Sequence, residues 1–403
     1  MAENKNEHAN SQGASIPLSS RGIMEMLGSH PMAWTSEAFD TKEASAEPGY
    51  VVHLDKQELL LALESVKERG LAGDSITRDT FLLPSSGTQL EQVRRDIHMG
   101  SGIAIVRLGI DPCELADEDN IKLFLGVASH IGDKRGIQDR RGNVLTHVTS
   151  AKRWTVPQEL RHGIHTNTGL AWHNDMGADV LALYVRGQAE KGGHTYIASS
   201  WTIYKELLMS YPDTLDLLTR HAWPIQITAS PHRHVLAPLL QVYGNKILIS
   251  VDPGRLGLHP VTAKTGLGSS IPDLTCRQLE ALDVLTSLAA RHRLRLDTKP
   301  GDMVFIQNWA MLHARDSYKD PENGPRRHLV RLWIRDSELG WNIPDSMRVP
   351  WDAAYAPDTE NGGADTGQKK YPTVPAREYR PPKYTAGSAA FVLRDDEDVN
   401  CEE

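Results

Sequence analysis

His173-Asn174-Asp175 is followed 140 positions later by His313, and a chain that brings these side chains together must return distant strands to one point. In an extended strand residues i and i+2 face the same side, so His173 and Asp175 share a face while Asn174 points away. Two imidazoles and one carboxylate on one face of a metal leave three positions open, the ligand set of non-heme Fe(II) oxygenases. Spacing alone is weak evidence. The chain has 17 histidines, and His53-Leu54-Asp55 is a second His-x-Asp, whose aspartate is accounted for as a helix cap.

The surroundings of the motif add weight. Lys299-Pro300-Gly301-Asp302 reads as a tight turn before the apolar strand Met303-Val304-Phe305-Ile306, with Asn308 and His313 just beyond it. Downstream, Arg327, Leu329, Arg331, Trp333 and Arg335 share one face of an alternating strand whose other face holds Val330, Leu332 and Ile334. That parity directs arginines toward something anionic. Gly192-Gly193-His194-Thr195 supplies a glycine turn and a hydroxyl 20 residues beyond Asp175. A guanidinium fork with a hydroxyl donor suits a carboxylate.

Short β-branched or alternating segments recur at 102–108, 180–185, 195–198, 246–251, 293–297, 303–307 and 327–335, with turn residues between them. Asp55 with Glu58 reads as a capping box for a helix closed by Gly70, and Thr275 with Gln278 opens another that runs to about His292. Ser200 is expected to cap a third, over Trp201 to Met209. Many short strands with few helices predict a mainly β chain with flanking helices, built as an antiparallel sandwich or barrel, without the βαβ repeat of a parallel sheet. We expect a disordered lead over residues 1–20, one domain over 21–350, and a Pro-rich, acidic tail over 351–403. Tyr371, Tyr379, Tyr384 and Phe391 would let that tail pack partly on the domain.

Hydrophobic residues at 40% and charged residues at 24% suffice for a sizeable core. A net charge of −8 offers no basic field for nucleic acid. Cys113, Cys276 and Cys401 are too few and too scattered for a disulfide framework or a zinc site. No run of 18 apolar residues and no apolar leader is present, so no membrane partner and a cytoplasmic chain are expected, with a small-molecule substrate and a possible homo-oligomer.

Taken together, Trp172-His173-Asn174-Asp175, Gly192-Gly193-His194-Thr195, Pro300-Gly301-Asp302 with Asn308, His313-Ala314-Arg315 and Arg326-Arg327 through Arg331 resemble the taurine dioxygenase (TauD/TfdA) family of Fe(II)/2-oxoglutarate-dependent dioxygenases. The elements fall in consistent order over about residues 95 to 340. The resemblance implies a double-stranded β-helix, or jelly-roll, core and the cofactors Fe(II), 2-oxoglutarate and O₂. It implies that His173, Asp175 and His313 ligate the iron, that Thr195 donates to a 2-oxoglutarate carboxylate, and that Arg327 forms the bidentate pair with the distal carboxylate. Arg331 would lie near both cosubstrate and substrate. The His313-to-Arg327 loop is a few residues longer than in simpler members, which leaves Arg326 as the alternative clamp. The implied chemistry is oxidative decarboxylation to succinate and CO₂ with oxidation of an unactivated C–H bond, by hydroxylation, desaturation or ring closure. The carboxylate Asp175 argues against halogenation. The Asn-containing motif and the Ala198-Ser199-Ser200-Trp201 segment look most like fungal members that act on amino acids in secondary metabolism.

Other candidates are weighed against plain structural roles. His162, His165 and Asn167 precede the iron motif and are either substrate contacts or residues that fix the loop. Gln138 and His147 are pocket candidates. Pro231-His232-Arg233-His234 reads as solvated loop, and Trp172 and Trp309 as core packing. Two other classes stay open: a non-catalytic jelly-roll binding protein, and a zinc hydrolase using the same three ligands, which would leave the Arg327 and Thr195 clamp without a purpose.

Overall fold

The alternating strand read from the sequence runs over His328–Arg335 in the computed structural model, which describes residues 20–39, 47–139, 141–229, 232–257, 270–355 and 369–379. It sits inside a seven-stranded sheet whose order is Val51–His53, Ile103–Arg107, Asp302–Gln307, Val180–Gly187 and His328–Arg335. Lys134–Arg135 and Leu145–Thr149 both pair along the far side of His328–Arg335. Every pairing is antiparallel except Val51–His53 against Ile103–Arg107, so the expected all-antiparallel sheet is corrected at one edge.

A four-stranded antiparallel sheet faces it, in the order Leu294–Arg295, Thr195–Ser199, Met311–Arg315 and Leu170–His173. From Leu170 onward the chain crosses repeatedly between the sheets, with Thr195–Ser199 and Leu294–Arg295 successive in the small one, and these crossings return each candidate ligand strand to the same place. The large sheet is covered on both faces, which explains why Val180–Gly187 is apolar without alternation. Leu181, Val304, Leu329 and Trp333 point toward the small sheet. Ala182, Phe305, Val330 and Leu332 point toward the helices Lys56–Glu68, Gly87–Met99 and Asp117–Ala128. The parity expected for Leu329 and Trp333 against Val330 and Leu332 therefore holds across the two cores.

Helix starts show where local signals are incomplete. Asp55 accepts from the Glu58 amide at 2.7 Å, but the Glu58 carboxylate turns to the Ser85 and Ser86 amides, so the cap is not the reciprocal box read from sequence. Thr275 and Gln278 do form that box. The cap of helix Ser200–Ser210 is Ser199, one residue earlier than expected, because its hydroxyl accepts from Trp201 and Thr202. Helix Arg348–Tyr355 spans the 350/351 boundary, and His232–Ala237 is a strand paired with Trp223–Ala229 rather than loop. Pro231, most of the lead and the tail beyond Tyr379 lie outside the described residues. Within those described, Lys370 pairs with Asn143 and hydrogen-bonds Val144, and Cys113 and Cys276 are free and exposed. No helix among the described residues is long and apolar enough to cross a membrane.

Candidate active site

His173 ends one strand of the small sheet and stands directly opposite His313 in the next. Asp175 lies two residues further on, in the turn that leads to the large sheet. Two asparagines pin this turn. The strand ends at His173, so the turn rather than strand parity places Asn174, whose backbone amide donates to the Val251 carbonyl at 2.8 Å and whose side-chain oxygen accepts from the Val251 amide at 2.7 Å. Asn308 accepts from the Asp175 amide at 3.0 Å and donates to the Asp175 and Ala178 carbonyls, each at 2.7 Å. With both backbones fixed, one donor atom each of His173, Asp175 and His313 falls within 4.8 Å of the others.

The protonation pattern is that of a metal site. His173 Nδ1–H donates to the Ala171 carbonyl at 2.6 Å, which leaves Nε2 for the shared point. Asp175 Oδ2 accepts from Trp333 Nε1 at 2.7 Å and pairs with Arg331 Nη1 at 3.0 Å. Its other oxygen, Oδ1, is buried without a hydrogen-bond partner and lies 3.9 Å from His313 Nε2. Burial pushes the Asp175 carboxyl upward, but Arg331, His313 and His173 outweigh it and hold the group below its ordinary range. Burial, with His173 beside it, takes His313 down to about 3. A buried carboxylate oxygen without a hydrogen-bond donor, 3.9 Å from an imidazole nitrogen, is a donor set suited to a cation. These donors fit a divalent transition metal with room for further ligands.

The Arg327 guanidinium is buried at 4% exposure, with Nε donating to the Gly193 carbonyl at 3.0 Å and the group stacked over Tyr318 at 5.3 Å. A Cβ on Gly193 would come within 2.8 Å of Arg327 Cδ and Nε, and Gly193 has φ +75°, so any other residue here is strained. Arg327 Nη1 is buried without a partner. Burial and the neighbouring Arg315 push Arg327 down to about 9, against the pull of Tyr318, Asp320 and Asp316. Arg326 points the other way, to Asp320 and the Ser150 carbonyl, and is not the buried arginine. Thr195 sits opposite Arg315, two residues before Ile197, which stands opposite His313.

Arg331 follows Arg327 by four residues, within the strand His328–Arg335. It is held against Asp175, and Gln138 accepts from its Nε at 2.8 Å. Gln138 thus supports the Asp175 carboxylate through Arg331. His147 bonds His328 and the Pro372 carbonyl. His165 donates to the His147 carbonyl, and Asn167 bonds the loop through its backbone, to Gln158 and Tyr318. Trp309 is buried and donates to Asp179, as a packing residue with a satisfied N–H. The sequence reading missed Trp333 as the second donor to Asp175, although parity had placed it on the Arg331 face; Gln138 and Tyr379 carried no local signal of what they hold.

The comparisons with known proteins bear on this geometry. Residues 68–333 match the family model described as taurine catabolism dioxygenase TauD, TfdA family. The chain belongs to the TauD/TfdA family. This TauD/TfdA-family chain is 30% identical to the taurine hydroxylase-like protein SAT17 of Stachybotrys chartarum over 82% of the chain and 85% of that protein. It is 28% identical to FR-33289 synthase of Streptomyces rubellomurinus, over 72% and 86% of the two chains. Among solved structures, an asparagine oxygenase in complex with Fe(II), hydroxyasparagine and succinate aligns with TM-score 0.55 at 18% identity, covering 72% of this chain and 98% of that one. The non-heme iron oxygenase OrfP in complex with Fe and α-ketoglutaric acid aligns with TM-score 0.52 at 16% identity, over 70% and 93%. The TauD/TfdA-family enzyme is a 2-oxoglutarate-dependent dioxygenase, and Fe(II) and 2-oxoglutarate are its cofactors.

Proposed function

We propose that this dioxygenase oxidises an unactivated C–H bond of a small amino-acid-like or carboxylate substrate, on a double-stranded β-helix core and within a catalytic unit of residues 21–350. The observation that carries the site assignment is the buried Asp175 Oδ1, without a hydrogen-bond partner, between His173 and His313, with a second buried unpartnered polar atom at Arg327 Nη1. The chain's repeated crossing between two sheets supports the core.

In this reading His173 Nε2, Asp175 Oδ1 and His313 Nε2 hold iron. Arg327 takes the distal carboxylate of 2-oxoglutarate, with Thr195 as a hydroxyl donor to the same molecule. When bound, iron would let O₂ act as the oxidant, with 2-oxoglutarate as the co-reductant that gives up CO₂ and becomes succinate by taking one oxygen atom, while the second oxidises the substrate C–H bond. The chain's own work is orientation and exclusion. Trp333 and Arg331 occupy Asp175 Oδ2, so the carboxylate would offer a metal Oδ1 alone. Gln138 fixes Arg331, and the two apolar cores keep water from the strands that carry the ligands. Amino-acid chemistry is supported by the solved relatives in complex with hydroxyasparagine and hydroxyarginine.

The test is anaerobic titration with Fe(II) and then 2-oxoglutarate, watching for the metal-to-ligand charge-transfer band. The band is expected in the wild type and absent in His173→Ala, together with loss of Fe(II)-dependent succinate formation. Full turnover in that variant rejects the ligand assignment.

A further inference from the structure

Residues 370–379 lie beyond the stretch matched by the family model, yet they are bound along the wall that precedes the iron motif. Lys370 pairs with Asn143, and the Pro372 carbonyl accepts from His147 Nε2 at 3.0 Å. The Ala376 carbonyl accepts from Trp154 Nε1 at 2.9 Å and from Arg153. The segment ends on Tyr379, whose ring packs against Trp154 at 4.8 Å and edge-on to His165 at 5.2 Å.

The Tyr379 hydroxyl organises two histidines. It accepts from the His162 amide at 2.8 Å and lies 3.4 Å from His165 Nδ1. Since His165 Nε2 meets the His147 carbonyl at 3.1 Å and must donate to it, Nδ1 is the acceptor and the tyrosine hydroxyl donates. His162 is buried, with Nδ1 turned to the Ile164 amide. That contact sets the proton on Nε2, and Nε2 is buried with no partner. The carbonyl of the next residue, Gly163, accepts from Arg315 at 3.3 Å, on the strand that carries His313, so the unmet donor belongs to a loop tied to a candidate ligand strand.

We infer that residues 370–379 are a strap that completes the substrate side of the oxygenase pocket, and that Tyr379 is a positioning residue that holds His162 Nε2–H as donor to a carbonyl or carboxylate oxygen of the substrate. The inference rests on the oxygenase reading above. It assigns Tyr379 no contact with iron or 2-oxoglutarate, whose candidate residues belong to other elements. Specificity would then reside partly in a segment outside the matched family region.

The test uses full-length Tyr379→Ala and Tyr379→Phe. In metal-free protein, carbethoxylation of His162 and His165 by diethyl pyrocarbonate, read by mass spectrometry, rises at least tenfold in Tyr379→Ala and little in Tyr379→Phe, which keeps the ring. In both variants the 2-oxoglutarate midpoint of the charge-transfer band stays within twofold of wild type. L-asparagine, L-arginine and L-valine serve as substrate probes. For whichever stimulates succinate formation, KM rises at least tenfold in both variants while kcat changes less than threefold. If none does, substrate-free succinate formation rises several-fold in Tyr379→Ala. Unchanged carbethoxylation overturns the strap; unchanged KM, or unchanged substrate-free turnover where no probe stimulates, overturns the positioning role. A parallel shift of the 2-oxoglutarate midpoint also overturns it, because that marks general loosening. Absence of the band in the wild type would instead reject the oxygenase reading.

Discussion

Replacing Arg327 by methionine separates stability from function in this chain. Arg327 is 4% exposed and is pushed from an ordinary 12.5 down to about 9, a burial penalty on the order of 4–5 kcal/mol at about 1.4 kcal/mol per pKa unit. Against it stand one charge-assisted bond to the Gly193 carbonyl, about 1.5–3 kcal/mol, and stacking on Tyr318, about 0.5–2 kcal/mol. The terms nearly cancel. Methionine fills most of the volume without the charge, so Arg327→Met is expected within about 1 kcal/mol of wild type, or above it, without ligand. With 2-oxoglutarate the order reverses. Loss of one partner of a buried ion pair costs about 3–5 kcal/mol, a rise in Kd of roughly two to three and a half decades. At a concentration about 100-fold above its Kd the wild type gains about 2.7 kcal/mol, and the variant gains nothing. Thermal unfolding under anaerobic Fe(II), with and without 2-oxoglutarate, reads both. A variant that melts more than about 5 °C below wild type without ligand refutes the charge argument, and one that keeps the ligand-induced shift refutes the clamp.

Three further outcomes follow from the same contacts. Trp333→Phe removes one of the two groups that hold Asp175 Oδ2 and should weaken Fe(II) binding about 10- to 100-fold with little change in fold, measured by metal titration; unchanged affinity would show that Arg331 alone suffices. Gly193→Ala meets both a positive φ and the Arg327 side chain, so it should lose about 1–3 kcal/mol of stability and raise the 2-oxoglutarate KM, and a neutral result would place the clamp elsewhere. Burial pushes Asp336 up, but its bonds from Arg94 and from the Leu339 and Glu338 amides bring it to about 2 from an ordinary 3.8. A depressed carboxyl stabilises the fold above its unfolded pKa and loses that contribution as pH falls toward 2, on the order of 2 kcal/mol. The stability gap between wild type and Asp336→Asn, measured by denaturation, should therefore narrow between pH 6 and pH 3, and a constant gap counts against the pairing.

What was legible in the sequence was whatever a local rule carries. Strand parity put Leu329 and Trp333 opposite Val330 and Leu332, because the pleat repeats every two residues whatever the fold, whereas Asp175 lies past the end of its strand and is placed by the turn. Thr275 with Gln278 spelled out its cap, since both partners lie within one turn. The glycine pair before Thr195 was visible, though its purpose was not. Only the packed chain brings a Cβ at Gly193 against Arg327, 134 positions away. Tertiary structure likewise chose between Arg326 and Arg327 by burying one and turning the other to Asp320. It joined Trp333 to Asp175 across 158 positions, Gln138 to Arg331 across 193 and Tyr379 to His162 across 217. Periodicity tells a side chain which face to occupy, whereas the identity of the atom it meets there depends on how two sheets and a returning tail pack.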